Sequence, residues 1–241
     1  MEKVTNKRTN GGSVYRSGES LYKFYDDNNA WIDEKKRNVL YFKNNRLIHP
    51  YMEVTFFEGD HFLGFSQEYI ENLGTFKDGV SDNRLSGDAK NAIVMSVFQK
   101  LKTLHSNGIL VGDLHADNII YNDTEGFIVD LDEVRFKGQD DFKFEEMYQI
   151  KPDDGTPHIK VASEYTDNVK ATVAALSFLY GFDLEDLIID KVLKVSMVKE
   201  WVSTMISDTD FRQDIYRVLD SRDKVIYFDE VLEKQQNNVK K

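Results

Sequence analysis

Three polar residues between positions 104 and 136 constrain this chain more than any other feature. Asp113, Asn118 and Asp130 each lie in a predicted turn between apolar segments of the sequence LHSNGILVGDLHADNIIYNDTEGFIVDLDEVRF. Asp and Asn are common turn residues, so a single such position would carry little information. Three of them at these spacings, directly after an apolar helical run, predict loops that present their side chains to one site.

The same three residues match the chemical needs of phosphoryl transfer. An Asp can orient an attacking hydroxyl group and accept its proton, while an Asn and a second Asp can bind the magnesium ion on ATP. We therefore predict Asp113 as the catalytic base, with Asn118 and Asp130 as the metal ligands. Asp132 and Glu133 follow in the same loop and are interpreted as solvated acidic residues without an assigned role.

Composition limits the class of protein. The 241 residues include 42 acidic and 31 basic side chains, and the net charge of −11 argues against a general nucleic-acid-binding protein. Hydrophobic residues make up 41% of the chain, which is enough for a sizeable core. The chain has no Cys, so disulfides and thiolate metal sites are excluded.

Targeting signals are not evident in the sequence. The N-terminal residues MEKVTNKRTN are polar and lack the apolar core of a signal peptide. No run approaches the roughly 18 consecutive apolar residues of a membrane span. We therefore expect a cytoplasmic protein with neither a membrane nor a nucleic acid as partner.

The first part of the chain has the pattern of a small β-sheet with one helix. Residues 12–25 fit a hairpin that turns at residues 17–19, and residues 30–44 fit a short helix. Strand-like runs follow at residues 51–57 and 62–70.

The second part is predicted to be mainly helical. Apolar residues recur at helical spacing in residues 89–106, and the strongly apolar helix predicted at 167–181 should lie inside its lobe. Further helices are predicted at 184–194, 197–207, 211–221 and 226–235. Short strands are predicted at 109–111, 118–121 and 126–130.

A composition change near residues 72–86, which are rich in Gly, Asn and Asp, marks the best boundary. We divide the chain into residues 1–72, a β-sheet with one helix, and residues 73–241, a helical part with the catalytic and metal-binding loops. The predicted class is α+β, with a cleft where the two parts meet.

Lys23 is the candidate for binding phosphate. It lies in an apolar strand, where inward alternation would let its ammonium group reach the site. Glu34, on the following helix, is predicted to hold Lys23 in an ion pair, with Asp33 as its rival. A paired-glycine turn before the strand is predicted to cover phosphate with backbone N–H groups, through Gly11, Gly12 and Ser13.

Together these segments resemble the protein-kinase-like superfamily over roughly residues 9–181. LHSNGILVGDLHADNII is similar to the catalytic loop of that family, and FIVDLDE to its metal-binding strand end. GGSVYRSGESLYKFY is similar to a shortened glycine-rich hairpin that carries the ATP-binding Lys. The resemblance implies a bilobal protein-kinase-like fold, with a small β-rich N-lobe, a larger helical C-lobe and the ATP cleft between them.

The resemblance also implies roles for two further segments. FSQEYIEN is similar to the hinge between the lobes, which implies that Glu68, Tyr69 and Ile70 offer backbone bonds to adenine. The residues that open the apolar helix, Tyr165 to Asp167, resemble the start of the central C-lobe helix. Asp167 would then brace the catalytic loop through backbone bonds.

The sequence also departs from the family pattern. Val111 and Gly112 replace the His-Arg pair before the catalytic Asp, Leu-Asp follows Asp130 instead of Phe-Gly, and no Ala-Pro-Glu motif is present. Without that Arg, we do not expect activity to depend on a phosphorylated activation loop. GDLHADN and VDLDE are also similar to the aminoglycoside and choline phosphotransferase branch, which acts on small alcohols.

Three functions remain open after this comparison. We favour an ATP- and Mg²⁺-dependent Ser/Thr protein kinase, in which residues 134–166 form a peptide-docking activation segment and a continuous helical run follows Asp167. The alternative is a small-molecule phosphotransferase with a closed acidic acceptor pocket built partly from residues 137–155. The third is a non-catalytic nucleotide-binding scaffold, as the short glycine loop would allow.

Overall fold

The computed structural model describes residues 2–4, 12–26, 29–138, 149–183 and 187–239. The chain divides into two compact units. Unit 1 comprises Met1–Glu71 and Val129–Val134, and unit 2 comprises Asn72–Ile128 and Arg135–Lys241. The sequence-based boundary at residue 72 lies beside this division, but the segment that follows Ile128 and includes Asp130 is grouped with unit 1.

Unit 1 is built on an antiparallel sheet with the strand order β1-β2-β3-β5-β4 in the part that the structure describes. Its strands are β1 Glu2–Lys3, β2 Gly12–Ser17, β3 Ser20–Tyr25, β4 Met52–Glu58 and β5 His61–Glu68. In this register Lys23 of β3 lies opposite Val14 of β2 and Phe65 of β5. The hairpin and the two later strands that the sequence predicts are confirmed.

One helix, α1 Ile32–Asn45, packs on this sheet and confirms the predicted helix at 30–44. Its buried residues are Lys35, Asn38, Val39 and Phe42, which follow the i, i+3, i+4, i+7 spacing of one helix face. Two polar residues therefore share the face that the apolar residues bury.

Most helices in the described part of the chain lie in unit 2. They are α2 Phe76–Gly79, α3 Gly87–Ser106, α4 Glu164–Tyr180, α5 Val195–Met205, α6 Thr209–Asp220 and α7 Phe228–Val239. Short strands join them, at β6 Gly74–Thr75, β7 Ile109–Leu110, β8 Ile119–Tyr121, β9 Gly126–Ile128, β10 Arg135–Phe136 and β11 Gln149–Lys151. The mixed α+β class and the three short strands predicted around Asp113 and Asn118 are confirmed.

Helix α4 is the central element of unit 2, because every residue from Tyr165 to Phe178 is buried. A helix that is buried all round must be packed on all sides by other elements, as the sequence predicts for this stretch. The helix begins earlier than predicted, since the Ser163 hydroxyl accepts the Thr166 N–H and the Thr166 hydroxyl accepts the Ser163 N–H.

The helix predicted at residues 184–194 is wrong where the structure describes the chain. Residues 187–194 include a hairpin of β12 Ile188–Ile189 and β13 Val192–Lys194. Asp190 and Lys191 both have positive φ, 52° and 59°, which is the conformation of a two-residue hairpin turn. The β-branched Ile188, Ile189 and Val192 favour strands, and this local preference outweighs the helical spacing.

The helices of the described ranges do not include one that is both long and apolar enough to cross a membrane.

Gly79 in α2 provides a test of packing in unit 2. A Cβ atom there would lie 2.4 Å from the ring of Phe178, which is buried and stacks on Phe76 at 4.3 Å between ring centroids. We expect Gly79→Ala to lower the free energy of unfolding by about 1–3 kcal/mol, because a buried ring cannot move aside without strain. Denaturant unfolding measures this.

The matched control is Gly87→Ala at the start of α3, where a Cβ atom meets nothing within 4 Å. There we expect no loss of stability, since Ala limits the unfolded chain more than Gly does. Equal stability of the Gly79→Ala variant and the parent would contradict the packing described here.

Candidate functional site

The predicted phosphate-binding residue, Lys23, lies in unit 1 with its side chain pointing to the same face of β3 as the buried Tyr25. Its Nζ atom lies 3.2 Å from Asp130 Oδ1 and 2.9 Å from Asp132 Oδ1. Burial by itself would lower the pKa of Lys23, but the carboxylates of Asp130 and Asp132 outweigh it and raise the pKa above its ordinary value. The ammonium group is therefore charged and held.

Asp132 is buried, so its interpretation as a solvated acidic residue is wrong. Both of its carboxylate oxygens have donors: Oδ1 accepts from Lys23, and Oδ2 accepts from the Tyr25 hydroxyl at 2.7 Å and from Lys35 at 3.2 Å. Burial alone would raise the pKa of Asp132. The two lysines outweigh burial and hold the pKa well below its usual range.

Lys35 and Asn38 of α1 complete this cluster. Lys35 also pairs with Glu133, and the Asn38 side-chain amide donates to the carbonyl oxygens of Asp132 and Val134, both at 3.0 Å. The segment after Asp130 is thus fixed to α1 through side-chain and backbone bonds.

The predicted ion pair of Lys23 with Glu34 is not what the structure contains. Lys23 pairs with Asp130 and Asp132, while Glu34 accepts a hydrogen bond from Arg37 at 3.3 Å. Lys35 lies on the buried face of α1 with Asn38, Val39 and Phe42, whereas Glu34 is only partly buried. Asp33, the rival candidate to Glu34, is exposed.

Asp130 combines exposure with an unusual backbone. Its side chain is 48% exposed, and its φ and ψ of 59° and 39° lie in the left-handed region that residues other than Gly seldom occupy. Such conformations persist where the surrounding structure fixes them, and they cluster at functional sites. Here the neighbouring Leu131 and Asp132 are both buried and anchor the turn.

The paired-glycine turn is only partly described. Gly12 and Ser13 form the start of β2, while Gly11 lies outside the described residues. A Cβ atom on Gly12 would lie 2.5 Å from the carbonyl oxygen of Phe24, so Gly12 permits the close approach of β2 and β3. The close approach of the two strands accounts for a glycine at position 12, without any role in phosphate binding.

The predicted hinge residues Glu68, Tyr69 and Ile70 end strand β5 and follow it. The Glu68 N–H donates to the carbonyl of Tyr51 at 3.1 Å, and the Tyr69 N–H donates to the carbonyl of Glu19 at 2.7 Å. These two N–H groups therefore already have partners and offer no donor to a ligand. Any backbone bond to adenine at Glu68 or Tyr69 would have to use a carbonyl oxygen.

In unit 2, the turn before Asp113 is held by a buried carboxylate. Asp167, in the first turn of α4, accepts the N–H of Val111 at 2.7 Å and the N–H of Gly112 at 2.9 Å. The predicted bracing of this loop by Asp167 is confirmed. Gly112 has φ of +72°, so this turn requires a residue that tolerates the left-handed region.

Further buried groups support the same turn. His105 Nε2 lies 3.1 Å from Asp167 Oδ2, and His105 Nδ1 lies 2.7 Å from the Tyr227 hydroxyl. Because an ionised carboxylate only accepts, His105 must donate from Nε2, and a neutral ring then accepts the Tyr227 O–H at Nδ1. The buried Lys170 ammonium donates to the carbonyl of Gly112 at 2.7 Å.

Asp113 and Asn118 themselves lie within one loop of unit 2. The Asn118 amide Nδ2 donates to the backbone carbonyl of Asp113 at 2.9 Å, which leaves the amide oxygen as the atom that could coordinate a cation. The Asp113 carboxylate is 34% exposed and lies 3.8 Å from His115 Nε2. It can therefore meet a ligand from solvent.

A ready-made metal cage is not part of the described residues, since they contain no group of three or more His, Cys, Asp or Glu arranged to hold a metal. Magnesium, however, is usually bound by one or two carboxylates together with water and substrate phosphates. The exposed Asp130 carboxylate and the Asn118 amide oxygen are suitable donors of this kind.

Four further residues belong to the site although the sequence did not predict them there: Tyr25, Lys35, Asn38 and Asp132. A signal for two of them was present, because Lys35 and Asn38 stand on the helix face of Val39 and Phe42. A charged residue within an apolar stripe predicts a buried partner of opposite charge.

We expect Asp167→Asn to lower the free energy of unfolding by about 2–4 kcal/mol, because an amide cannot replace every charge-assisted bond that the buried carboxylate accepts. The backbone amides of Val111 and Gly112 should also exchange hydrogen faster. Hydrogen exchange and denaturant unfolding measure the two effects. Asp210→Asn, at an exposed first-turn position of α6, is the control and should cost less than about 1 kcal/mol.

We expect the protein to lose stability at high pH because of the buried Tyr25 hydroxyl. Burial and the nearby Asp132 raise its pKa above the ordinary value of about 10. Above that pH the unfolded tyrosine loses its proton while the folded one keeps it, so the unfolding free energy falls as pH rises, by up to about 1.4 kcal/mol per pH unit. Unfolding between pH 8 and pH 11 measures this slope.

The variant Tyr25→Phe should lose this part of the slope. Tyr22→Phe removes a hydroxyl from the other face of the same strand and is its control. Identical pH slopes in the parent and Tyr25→Phe would contradict the arrangement of Tyr25 and Asp132.

Comparison with known proteins does not assign a family to this chain. The scan against protein-family models and the search of curated proteins both gave no match. The functional interpretation therefore has to come from the chemistry of the residues described above.

Proposed function

We propose that this protein is an ATP- and Mg²⁺-dependent phosphotransferase with a bilobal kinase-like fold, in which units 1 and 2 are the two lobes. The observation that carries the proposal is the contact between Lys23 and Asp130 at 3.2 Å. These residues are 107 positions apart, and their sequence contexts suggest phosphate binding for one and metal binding for the other.

The residues fit the proposed ligands. The Lys23 ammonium is charged and held on the sheet of unit 1, where it would bind phosphate oxygens of ATP. The Asp130 carboxylate is exposed and would coordinate magnesium. The Asn118 side chain donates only through Nδ2, so its amide oxygen suits the second ligand that the sequence predicts. Magnesium, when bound, neutralises negative charge on the phosphates.

Asp113 would act on the acceptor. Its carboxylate would accept a hydrogen bond from the attacking hydroxyl and orient the oxygen towards the γ-phosphorus of ATP. The new bond joins the acceptor oxygen to phosphorus, the bond from phosphorus to the bridging oxygen of ADP breaks, and the hydroxyl proton passes to Asp113. Rigid placement of the Asp113 loop by Asp167 favours this arrangement before the substrate arrives.

We propose a Ser or Thr hydroxyl of a protein as the acceptor. The groove described in unit 2 beside Leu110 has a volume of about 710 Å³, and its lining includes Lys137, Arg222 and Lys224 as well as Glu164 and Asp223. The lining thus carries both signs of charge. Residues 139–148, which belong to the segment predicted to form the acidic pocket of a small-alcohol kinase, lie outside the described residues. The hairpin of β12 and β13 interrupts the helical run after Asp167, but α5 to α7 still follow it.

A small-molecule alcohol is the second candidate, and one observation favours it. Ser163 and Thr166 form the cap of α4, the buried Tyr165 donates its hydroxyl to Leu219, and Thr156 bonds to Asp154 and Arg222. In the described part of the proposed activation segment, the hydroxyl groups of these four residues are thus used in structural bonds. This agrees with activity that does not depend on phosphorylation of the segment.

The first experiment measures transfer from labelled ATP with magnesium, to generic protein substrates and separately to aminoglycosides and choline. We expect Asp113→Asn to lower turnover by about 10²- to 10⁴-fold, the usual contribution of a positioned general base. Asp117→Asn, an exposed change in the same loop, is the control and should retain activity. Labelled protein supports the kinase, and labelling of small alcohols alone would move the assignment to the second candidate.

Magnesium dependence tests the role of Asp130. We expect ATP to bind more tightly with magnesium than with EDTA, and Asp130→Asn to remove most of that difference, since an amide is a poorer ligand for a hard cation. Calorimetric titration of ATP under both conditions measures it. An unchanged magnesium effect in Asp130→Asn removes Asp130 as a metal ligand, and transfer that survives in Asp113→Asn removes Asp113 as the base.

A further inference from the structure

We propose that Asp132, and not Glu34, is the residue that positions Lys23 for phosphate binding, with Lys35 as its counter-charge, so that Asp130 remains available to a metal ion. This inference rests on the proposed function, because it assigns a task to Lys23. It assigns different tasks to two carboxylates that are two residues apart. Asp132 positions Lys23, and Asp130 binds the metal ion.

Burial separates the two carboxylates. The Asp132 side chain is fully buried, whereas the Asp130 side chain is 48% exposed. Both contact Lys23 Nζ, and the contact with Asp132 is the shorter one, at 2.9 Å against 3.2 Å. A ligand arriving from solvent can therefore replace the contact with Asp130 without disturbing the contact with Asp132.

Asp132 is also held by hydrogen bonds from two structural elements. Its second carboxylate oxygen accepts from Tyr25 of β3 and Lys35 of α1, and its backbone carbonyl accepts from Asn38 of α1. Strand β3 and helix α1 thus hold Asp132 from two directions. Because Lys23 is bonded to the carboxylate that is held this way, its ammonium group has a defined position.

The charges of the cluster favour the same division. Lys23 and Lys35 face Asp130, Asp132 and Glu133, which gives two positive and three negative groups. If Asp130 turns to a metal ion, the groups that remain are two of each sign. A balanced buried cluster is far less costly than one that keeps an unpaired charge. Release of Asp130 therefore leaves Lys23 paired and in place.

The described contacts of Lys23 are with Asp130 and Asp132, and Glu34 pairs with another residue. Its side chain pairs with Arg37 on the same helix, and the buried face of α1 presents the cation Lys35 instead of an anion. The carboxylate that holds Lys23 comes from the segment after β9.

The experiment measures ATP binding to the full chain, by calorimetry, first in EDTA and then in magnesium. Lys23→Met defines the loss when the ammonium is absent. We expect Asp132→Asn to weaken ATP binding in EDTA by about 10-fold or more, as Lys23→Met does, because a misplaced ammonium loses a charge-assisted bond to phosphate. Asp130→Asn should lose the magnesium increment.

Two further variants distinguish an effect on ATP binding from a loss of folding. Asp132→Glu keeps the charge and should restore part of the affinity. The double variant Asp132→Asn with Lys35→Met removes one buried charge of each sign, so it retains the charge balance of the cluster. We expect the double variant to bind ATP in EDTA about 10-fold more weakly than Lys35→Met alone. If the role of Asp132 were purely structural, the two variants would bind ATP equally well once folded.

The outcomes distinguish this inference from the function on which it rests. If Lys23→Met weakens binding but Asp132→Asn and the double variant do not, the role of Asp132 is overturned and the phosphotransferase remains. If Glu34→Gln weakens binding in EDTA as much as Lys23→Met, the positioning residue is Glu34. If the parent chain does not bind ATP, or Lys23→Met binds as the parent does, the proposed function fails together with this inference.

Discussion

The buried carboxylate of Asp132 is the interaction on which unit 1 depends. Two lysines from different elements, Lys23 of β3 and Lys35 of α1, end at its two oxygens. An ammonium group inside a protein is tolerated only when a carboxylate and hydrogen bonds replace its water. Asp132 thus joins β3 to α1 and holds the segment that follows Asp130, and together with Asp130 it keeps Lys23 charged.

A buried carboxylate also organises unit 2, where it holds a loop. Asp167 is buried in α4 and accepts the backbone N–H groups of Val111 and Gly112, which fixes the turn that presents Asp113. In each unit a buried Asp holds the structure, and a partly exposed Asp nearby, Asp130 or Asp113, is available to a ligand. A carboxylate that is saturated with donors cannot take part in chemistry, so the two tasks need separate residues.

The sequence was sufficient for the parts of the structure that local patterns determine. The hairpin of β2 and β3, helix α1 and the buried helix α4 follow from alternation, helical spacing and apolar content, and the loop of Asp113 follows from its turn residues. The prediction from sequence was wrong at Asp190 and Lys191. These two residues have positive φ and form a hairpin turn where a helix was predicted. Neither residue is a glycine, and Asp190 alone is only a weak turn signal.

The partner of Lys23 was missed for a different reason. A carboxylate at any sequence distance can reach a buried lysine, and Glu34 was the nearer candidate in sequence. Asp132 is 109 residues away from Lys23, and only the folded chain brings the two together. Lys35 was the useful signal, because a cation on an apolar helix face needs an anion that the helix itself does not supply.

The path of the chain has a consequence for the independence of unit 1. The chain leaves this unit after Glu71 and returns only for the six residues Val129–Val134. A fragment that ended at Glu71 would keep the sheet and α1 but would lack Asp130, Asp132 and Glu133, and Lys23 and Lys35 would lose these partners. Unit 1 is therefore compact in space but not autonomous as a piece of chain. Its charges can be satisfied only after more than half of the polypeptide has been synthesised, which ties its folding to a contact between distant parts of the sequence.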